Sequence, residues 1–253
     1  MIDNPTEEPE PSYIGLPSFL KLPYVTNPRD LARIAPDIAI LGAPMDMGTT
    51  IRPGTRFGPR AIRSAAGYVG GSPVEPMYHL GLGIAPFKHL RVVDFGDANC
   101  PPHSIEQGHE AIRRKVGEAL AAGALPIVLG ADRSITLPSA TAVADRWGHG
   151  KVGIVHFDAH ADTAPDSFGG SLIAHGSPMR RLIESGAVPG RNFVQVGLRG
   201  YWPPEEVLGW MKAQQMRWHL MAEIEERGME AVIDDAIREA LDGPEYKIGR
   251  AHV

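Results

Sequence analysis

Six near-continuous apolar runs, each followed by a segment with helical spacing, constrain this chain more than any other feature. They are PDIAILGAP (36–44), LRVVDFGDA (90–98), LPIVLGAD (125–132), KVGIVHFDA (151–159), NFVQVGLRG (192–200) and MRWHLMAEI (216–224). Strands this apolar on successive residues belong to a sheet covered on both faces. Between the second and third runs, Ile105, Ile112, Val116, Ala119 and Leu120 form a helical stripe, opened by the N-cap candidate Ser104 and closed near Gly123. Further helices are expected over 134–146, 175–186, 203–215 and 229–242, with another starting at Pro59. Strand then helix, repeated along the chain, predicts an α/β fold with a mainly parallel, doubly wound sheet. Ligands of such sheets bind at the carboxyl ends of the strands.

With 253 residues, 43% of them hydrophobic, the chain is long enough to bury a full α/β core, and nothing requires a second domain. The expectation is one domain over 13–253, preceded by an acidic, proline-rich mobile arm at 1–12. A net charge of -5 without a basic block argues against nucleic acid or an anionic membrane as partner and favours a small molecule. The single cysteine, Cys100, cannot form an internal disulfide, and no basic segment leads into an apolar run at the start, so a cytoplasmic protein is expected. No apolar stretch reaches the roughly 18–20 residues that span a bilayer.

The fourth run ends in chemistry. Asp158, His160 and Asp162 are spaced two apart, and side chains at that spacing in extended chain share one face. Two carboxylates and an imidazole converging at a strand end suit a divalent cation, although such groups also cap helices and tie loops. His156 shares the register but lies deeper, and reads as a buried, hydrogen-bonded core histidine, not a ligand. The turn Gly130-Ala131-Asp132-Arg133-Ser134 sits at an equivalent strand end, beside the cluster if the two strands are neighbours. The loop over 48–63 carries Arg52, Arg56, Arg60 and Arg63 among glycines and prolines but lacks the Walker lysine. It fits either a phosphate site or a rigid loop whose arginines pair with carboxylates or a partner subunit.

Taken together, AILGAPMDMGTTIRPGTRFGPRAIR, VVDFGDA, PIVLGADRSITLP, VHFDAHADT, AHGSPMRR and VQVGLRG resemble, in order, the ureohydrolases, the arginase and agmatinase family, and the agmatinase branch most closely. The resemblance implies a three-layer α/β/α fold of the arginase/deacetylase kind and a pair of Mn²⁺ ions at the carboxyl edge of the sheet. It also implies hydrolysis of a linear guanidino compound, agmatine or guanidinobutyrate-like, to urea and an amine. By resemblance Asp158, His160 and Asp162 are metal ligands, Asp158 and His175 are catalytic, and His175 shuttles protons or orients substrate. A homo-oligomer, trimer or hexamer, is implied in the same way. The chemistry calls for such residues because a guanidinium carbon is resonance-stabilised and cationic, and divalent ions make water a competent nucleophile near neutral pH. The residues after Asp162, Thr163 to Asp166, could face an amine or a carboxylate tail, with Asp166 favouring a cationic one.

Two departures from the family pattern set further expectations. Arg133 stands where the family has a histidine ligand, and a guanidinium has no lone pair to donate. It is expected to occupy the place of one metal and to pair with Asp158 or Asp162, leaving one ion or none; the alternatives are an outward-facing arginine or a sequence error. The chain also ends at Gly249-Arg250-Ala251-His252-Val253, where the family continues into a serine-aspartate-aspartate motif supplying two more ligands. The last residues match the translation of a common sequencing adapter, so a C-terminally incomplete frame with impaired activity is expected, in which His252 is no ligand. A non-catalytic relative that keeps the fold for binding or assembly is the competing reading.

Overall fold

The computed structural model describes residues 13–69, 77–243 and, as backbone, 246–251. The expected arm at 1–12 and His252 lie outside these residues.

Among the described residues seven strands form, all paired in parallel: β1 (Ile38–Pro44), β2 (Val92–Asp97), β3 (Leu125–Ala131), β4 (Val152–Phe157), β5 (Phe193–Leu198), β6 (Arg217–Leu220) and β7 (Tyr246–Ala251). The α-helices among the described residues are α1 (Pro28–Ile34), which precedes β1, and α2 (Gly58–Ala66), α3 (Ile105–Ala121), α4 (Thr136–Trp147), α5 (Pro178–Glu184), α6 (Glu205–Ala213), α7 (Met221–Arg227) and α8 (Met229–Ala240), which connect the strands. The α/β class with parallel strands and helices on both faces is as the sequence predicts.

Pairing divides the strands into two sheets, ordered β2-β1-β3 and β6-β5-β4-β7. The expected adjacency of β3 and β4 is therefore not realised as hydrogen bonding; each lies in a different sheet. β3 is an edge strand, and its Leu125 and Ile127 are exposed.

In the second sheet the alternation of side chains builds a layer on each face. Ile154 and Phe193 pack with α4, α5 and α6 through Ala144, Met179, Leu182 and Met211. Val155, Val194 and Val196 point the other way, onto Ile224 of α7 and Val232 and Ala236 of α8. In the first sheet, Ala39, Leu41, Val93 and Phe95 meet Leu31 of α1 and Ile112 and Val116 of α3, while α2 covers β1 and β3. Val143 of α4 packs against both the first cluster and that of the second sheet, so α4 joins the halves.

Local signals account for the element ends. The Ser104 hydroxyl accepts from the Gln107 N–H and caps α3 as expected, and Asn27 caps α1 by accepting from the Arg29 N–H. The run over 216–224 is strand only as far as Leu220; Met221 and Ile224, three apart, turn the chain into α7 with Ile224 buried. The helix expected over 175–186 starts at Pro178, because the Ser177 hydroxyl bonds within the preceding turn, accepting from the Ala174 N–H and donating to the Leu172 carbonyl. No helix among the described residues is long and apolar enough to cross a membrane.

Candidate metal centre

The centre forms where β4 ends. Phe157 is the last strand residue, and the chain turns back through Asp162, whose φ of 52° lies in the left-handed region that aspartate tolerates better than most residues. Asp158 and Asp162 are both nearly buried, and one ligand atom from each lies within 4.8 Å of the other and of an imidazole nitrogen of His156. His156, read from the sequence as a core histidine, thus stands inside the ligand cluster. His160 is at the rim, its side chain 46% exposed and its Nδ1 3.7 Å from Asp158 Oδ1.

Asp158 is held at both oxygens. Oδ1 accepts from the His160 backbone N–H at 2.9 Å, and Oδ2 lies 3.5 Å from His156 Nε2. Burial pushes its carboxyl upward, but the His156 ring, the His160 N–H and the Arg133 guanidinium together hold it below the usual carboxylate range.

Arg133 comes from the other sheet. β3 ends at Ala131, and a single tight turn, Arg133–Ile135, follows, capped by the Asp132 carboxylate accepting from the Ser134 N–H. Gly130 at its start has φ 144° and sits so close to Ala43 that a Cβ would lie 2.3 Å from that carbonyl oxygen, which leaves room for glycine alone. From this turn Arg133 Nη1 donates to Asp162 Oδ1 at 2.8 Å and lies 3.5 Å from Asp158 Oδ2 and from His160 Nδ1. The arginine points into the cluster, not outward, and the turn is beside the centre although β3 and β4 do not pair.

His175 approaches from the chain before α5. Its backbone N–H donates to the Gly48 carbonyl, and its Nε2 lies 3.1 Å from Thr50 Oγ1. Burial, and then the Arg133 charge, lower its imidazole pKa, against the pull of Asp132, so it is neutral near pH 7. The loop that receives it is fastened from two sides: Gly48 N–H donates to Asp132 Oδ2 at 2.8 Å, and Asp46 accepts from Gly54 N–H and Arg56 Nε. Of the loop arginines, Arg56 pairs with Asp46 and Arg63 with Asp94 and Asp97, as the carboxylate-pairing reading expects; Arg52 and Arg60 are exposed.

Three supporting residues were not singled out from the sequence. Gln195 is fully buried beside His156, His109 bonds Ser134 next to Arg133, and Thr50 meets His175. Only Gln195 left a trace: it is a lone amide in the apolar run NFVQVGL.

The donor chemistry suits a divalent ion. Asp158, His160 and Asp162 offer oxygen and imidazole donors, whereas Arg133 offers none and already engages one Asp162 oxygen with its charge. Among the described residues the group of three possible ligands that converges within 4.8 Å is His156, Asp158 and Asp162; His160 lies outside it.

Comparison with known proteins places the chain in a family. The chain is 37% identical over 229 residues to a guanidinobutyrase of Pseudomonas aeruginosa, covering 86% of this chain and 68% of that one. It is 40% identical over 187 residues to a mitochondrial agmatinase of Gallus gallus, covering 74% of this chain and 51% of that one. The solved structure of proclavaminate amidino hydrolase from Streptomyces clavuligerus superposes with a TM-score of 0.79 at 30% identity, over 96% of this chain and 74% of that one. The chain spans 68%, 51% and 52% of the length of three curated relatives it matches. The profile of the arginase family matches residues 36–247, most of the sequence, and with these likenesses it shows that the chain belongs to the arginase family.

Proposed function

We propose that this centre serves the hydrolysis of a linear guanidino compound to urea and an amine, with one divalent ion held by Asp158, His160 and Asp162. The observation that carries the reading is the convergence of Asp158 and Asp162 at the end of β4, nearly buried and held ionised. Mn²⁺ is the ion that the resemblance implies, and when bound it would supply the Lewis acidity that brings a water's pKa towards neutrality. The protein's own part is positioning and proton transfer. The two carboxylates offset the charge of ion and substrate. Neutral His175, oriented by Thr50 and Gly48, accepts a proton from the attacking water as its oxygen bonds to the guanidinium carbon, and passes that proton to the amine nitrogen as the carbon–nitrogen bond breaks. The substrate is agmatine or a guanidinobutyrate-like acid, and the assembly is a homo-oligomer.

Arg133 favours a second reading. Its guanidinium neutralises part of the cluster without any ion, as a non-catalytic relative would require.

The deciding experiment is Mn²⁺ content per chain by elemental analysis, with urea release from agmatine and 4-guanidinobutyrate measured on the same samples. One ion with urea release is expected, and Arg133→His should raise the content towards two. Two ions in the unaltered chain would overturn the one-ion reading. No bound ion and no urea would establish the non-catalytic reading instead.

A further inference from the structure

His156 and Gln195 face each other in register on adjacent parallel strands, so their side chains share one face of the sheet. Both are fully buried. Gln195 Nε2 lies 2.6 Å from the Ala161 carbonyl oxygen. A carbonyl only accepts, so the NH₂ end of the amide must be there; the flipped amide would set oxygen against oxygen. The same Nε2 lies 3.2 Å from His156 Nδ1. Its second N–H therefore needs a bare lone pair on Nδ1, and the proton of the neutral ring must sit on Nε2. That nitrogen is 3.5 Å from Asp158 Oδ2. Phe193 meets the ring edge-on, with centroids 5.9 Å apart and planes at 69°, which limits its rotation.

We propose that Gln195 locks His156 in the Nε2–H tautomer, so that His156 is a donor to the Asp158 carboxylate and not a metal ligand. The pair are positioning residues. Gln195 also ties down the Ala161 carbonyl, one residue before Asp162, and so holds the turn that carries the ligands at two points. His156 lies within ligand distance of both carboxylates, and its nearness alone would mark it as a ligand. The amide on its far side excludes this, because a ring nitrogen carrying a proton has no lone pair for a cation. The proposal deepens the proposed metal site, yet the tautomer itself depends on neither metal nor turnover, so the two stand or fall separately.

The test is nitrogen-15 NMR of the histidine rings in the full chain, first without metal, with the His156 resonances assigned by their loss in His156→Gln. A bare Nδ1 and a protonated Nε2 are expected. A protonated Nδ1 would overturn the proposal. In Gln195→Glu the carboxylate can only accept, so Nδ1 should become protonated. Should that variant fail to fold, the neutral Gln195→Met, which keeps the volume and removes the donor, should give a mixture of tautomers. Titration with Zn²⁺ should shift His160 and leave His156 Nε2 unligated; a ligation shift at His156 would refute the donor role. Mn²⁺ affinity should fall about 10–100-fold in Gln195→Met, the usual cost of losing a group that orients a ligand. Unchanged affinity would sink the positioning role.

Discussion

His109 on α3 shows how far a single buried imidazole can tune this protein. Its Nε2 meets Ser134 Oγ at 3.1 Å, directly behind Arg133, and burial pushes its pKa from 6.5 down to about 4 against the pull of Asp132 and Glu106. The unfolded chain thus takes up a proton near pH 6.5 while the folded chain does not until about pH 4. Stability from this residue is complete above pH 6.5 and is lost as the pH falls to about 4, by an amount of order 3 kcal/mol. Replacing His109 with Gln should flatten that part of the curve, read as thermal midpoints between pH 4 and 7; an unchanged slope would assign the acid sensitivity elsewhere. At this scale the sequence revealed the chemistry that repeats in a pattern. The two-residue spacing of Asp158, His160 and Asp162 pointed to the right segment, but not through a shared strand face: β4 ends at Phe157, the chain turns back through Asp162, and His160 is left at the rim. The roles of Gln195 and His109 were not, since each depends on a residue 39 or 25 positions away.

The loop between β1 and α2 works as a strap across the centre. Asp46, buried at the end of β1, gathers the Gly54 and Arg56 N–H groups and the Arg56 guanidinium, so the chain doubles back and offers the Gly48 carbonyl to His175. Those contacts, led by the Arg56 side chain, hold the Asp46 carboxyl below its usual 3.8. Its contribution is therefore present above about pH 4 and is lost as the pH falls through the lowered folded value. Asp46→Asn should cost about 1–3 kcal/mol at neutral pH and weaken the acid transition, measured by urea unfolding at pH 7 and pH 3. Equal loss at both pH values would contradict this account. The two readings of the loop from sequence could not be separated there, because arginines among glycines suit phosphates and carboxylates equally. Partners supplied by β1 and β2 decided for Arg56 and Arg63. The overlong strand expected over 216–224 failed for a related reason: apolar content alone does not distinguish a strand end from the first turn of a helix.

For the whole molecule, alternation of strand and helix gave away the α/β class, but not the division into two sheets. Periodicity reports which residues are buried, and pairing order is settled by contacts between distant segments. The centre itself spans that division, with Arg133 brought from the end of β3 and the carboxylates from the end of β4. Charge complementarity thus ties together two sheets whose strands, among the described residues, are not paired with each other.

The division also has a meaning in time. β1, β2 and β3 fall within residues 38–131, and β4 to β7 within 152–251, so each sheet is built from one uninterrupted stretch, with α4 between them. A chain emerging from the ribosome can close the first sheet before any strand of the second exists, as units that fold in order of synthesis do. In pulse-labelled hydrogen exchange during refolding, amides of β1 and β3 should gain protection as one group and those of β4 and β5 as another. A single shared phase would show that α4 makes the two halves cooperative from the start.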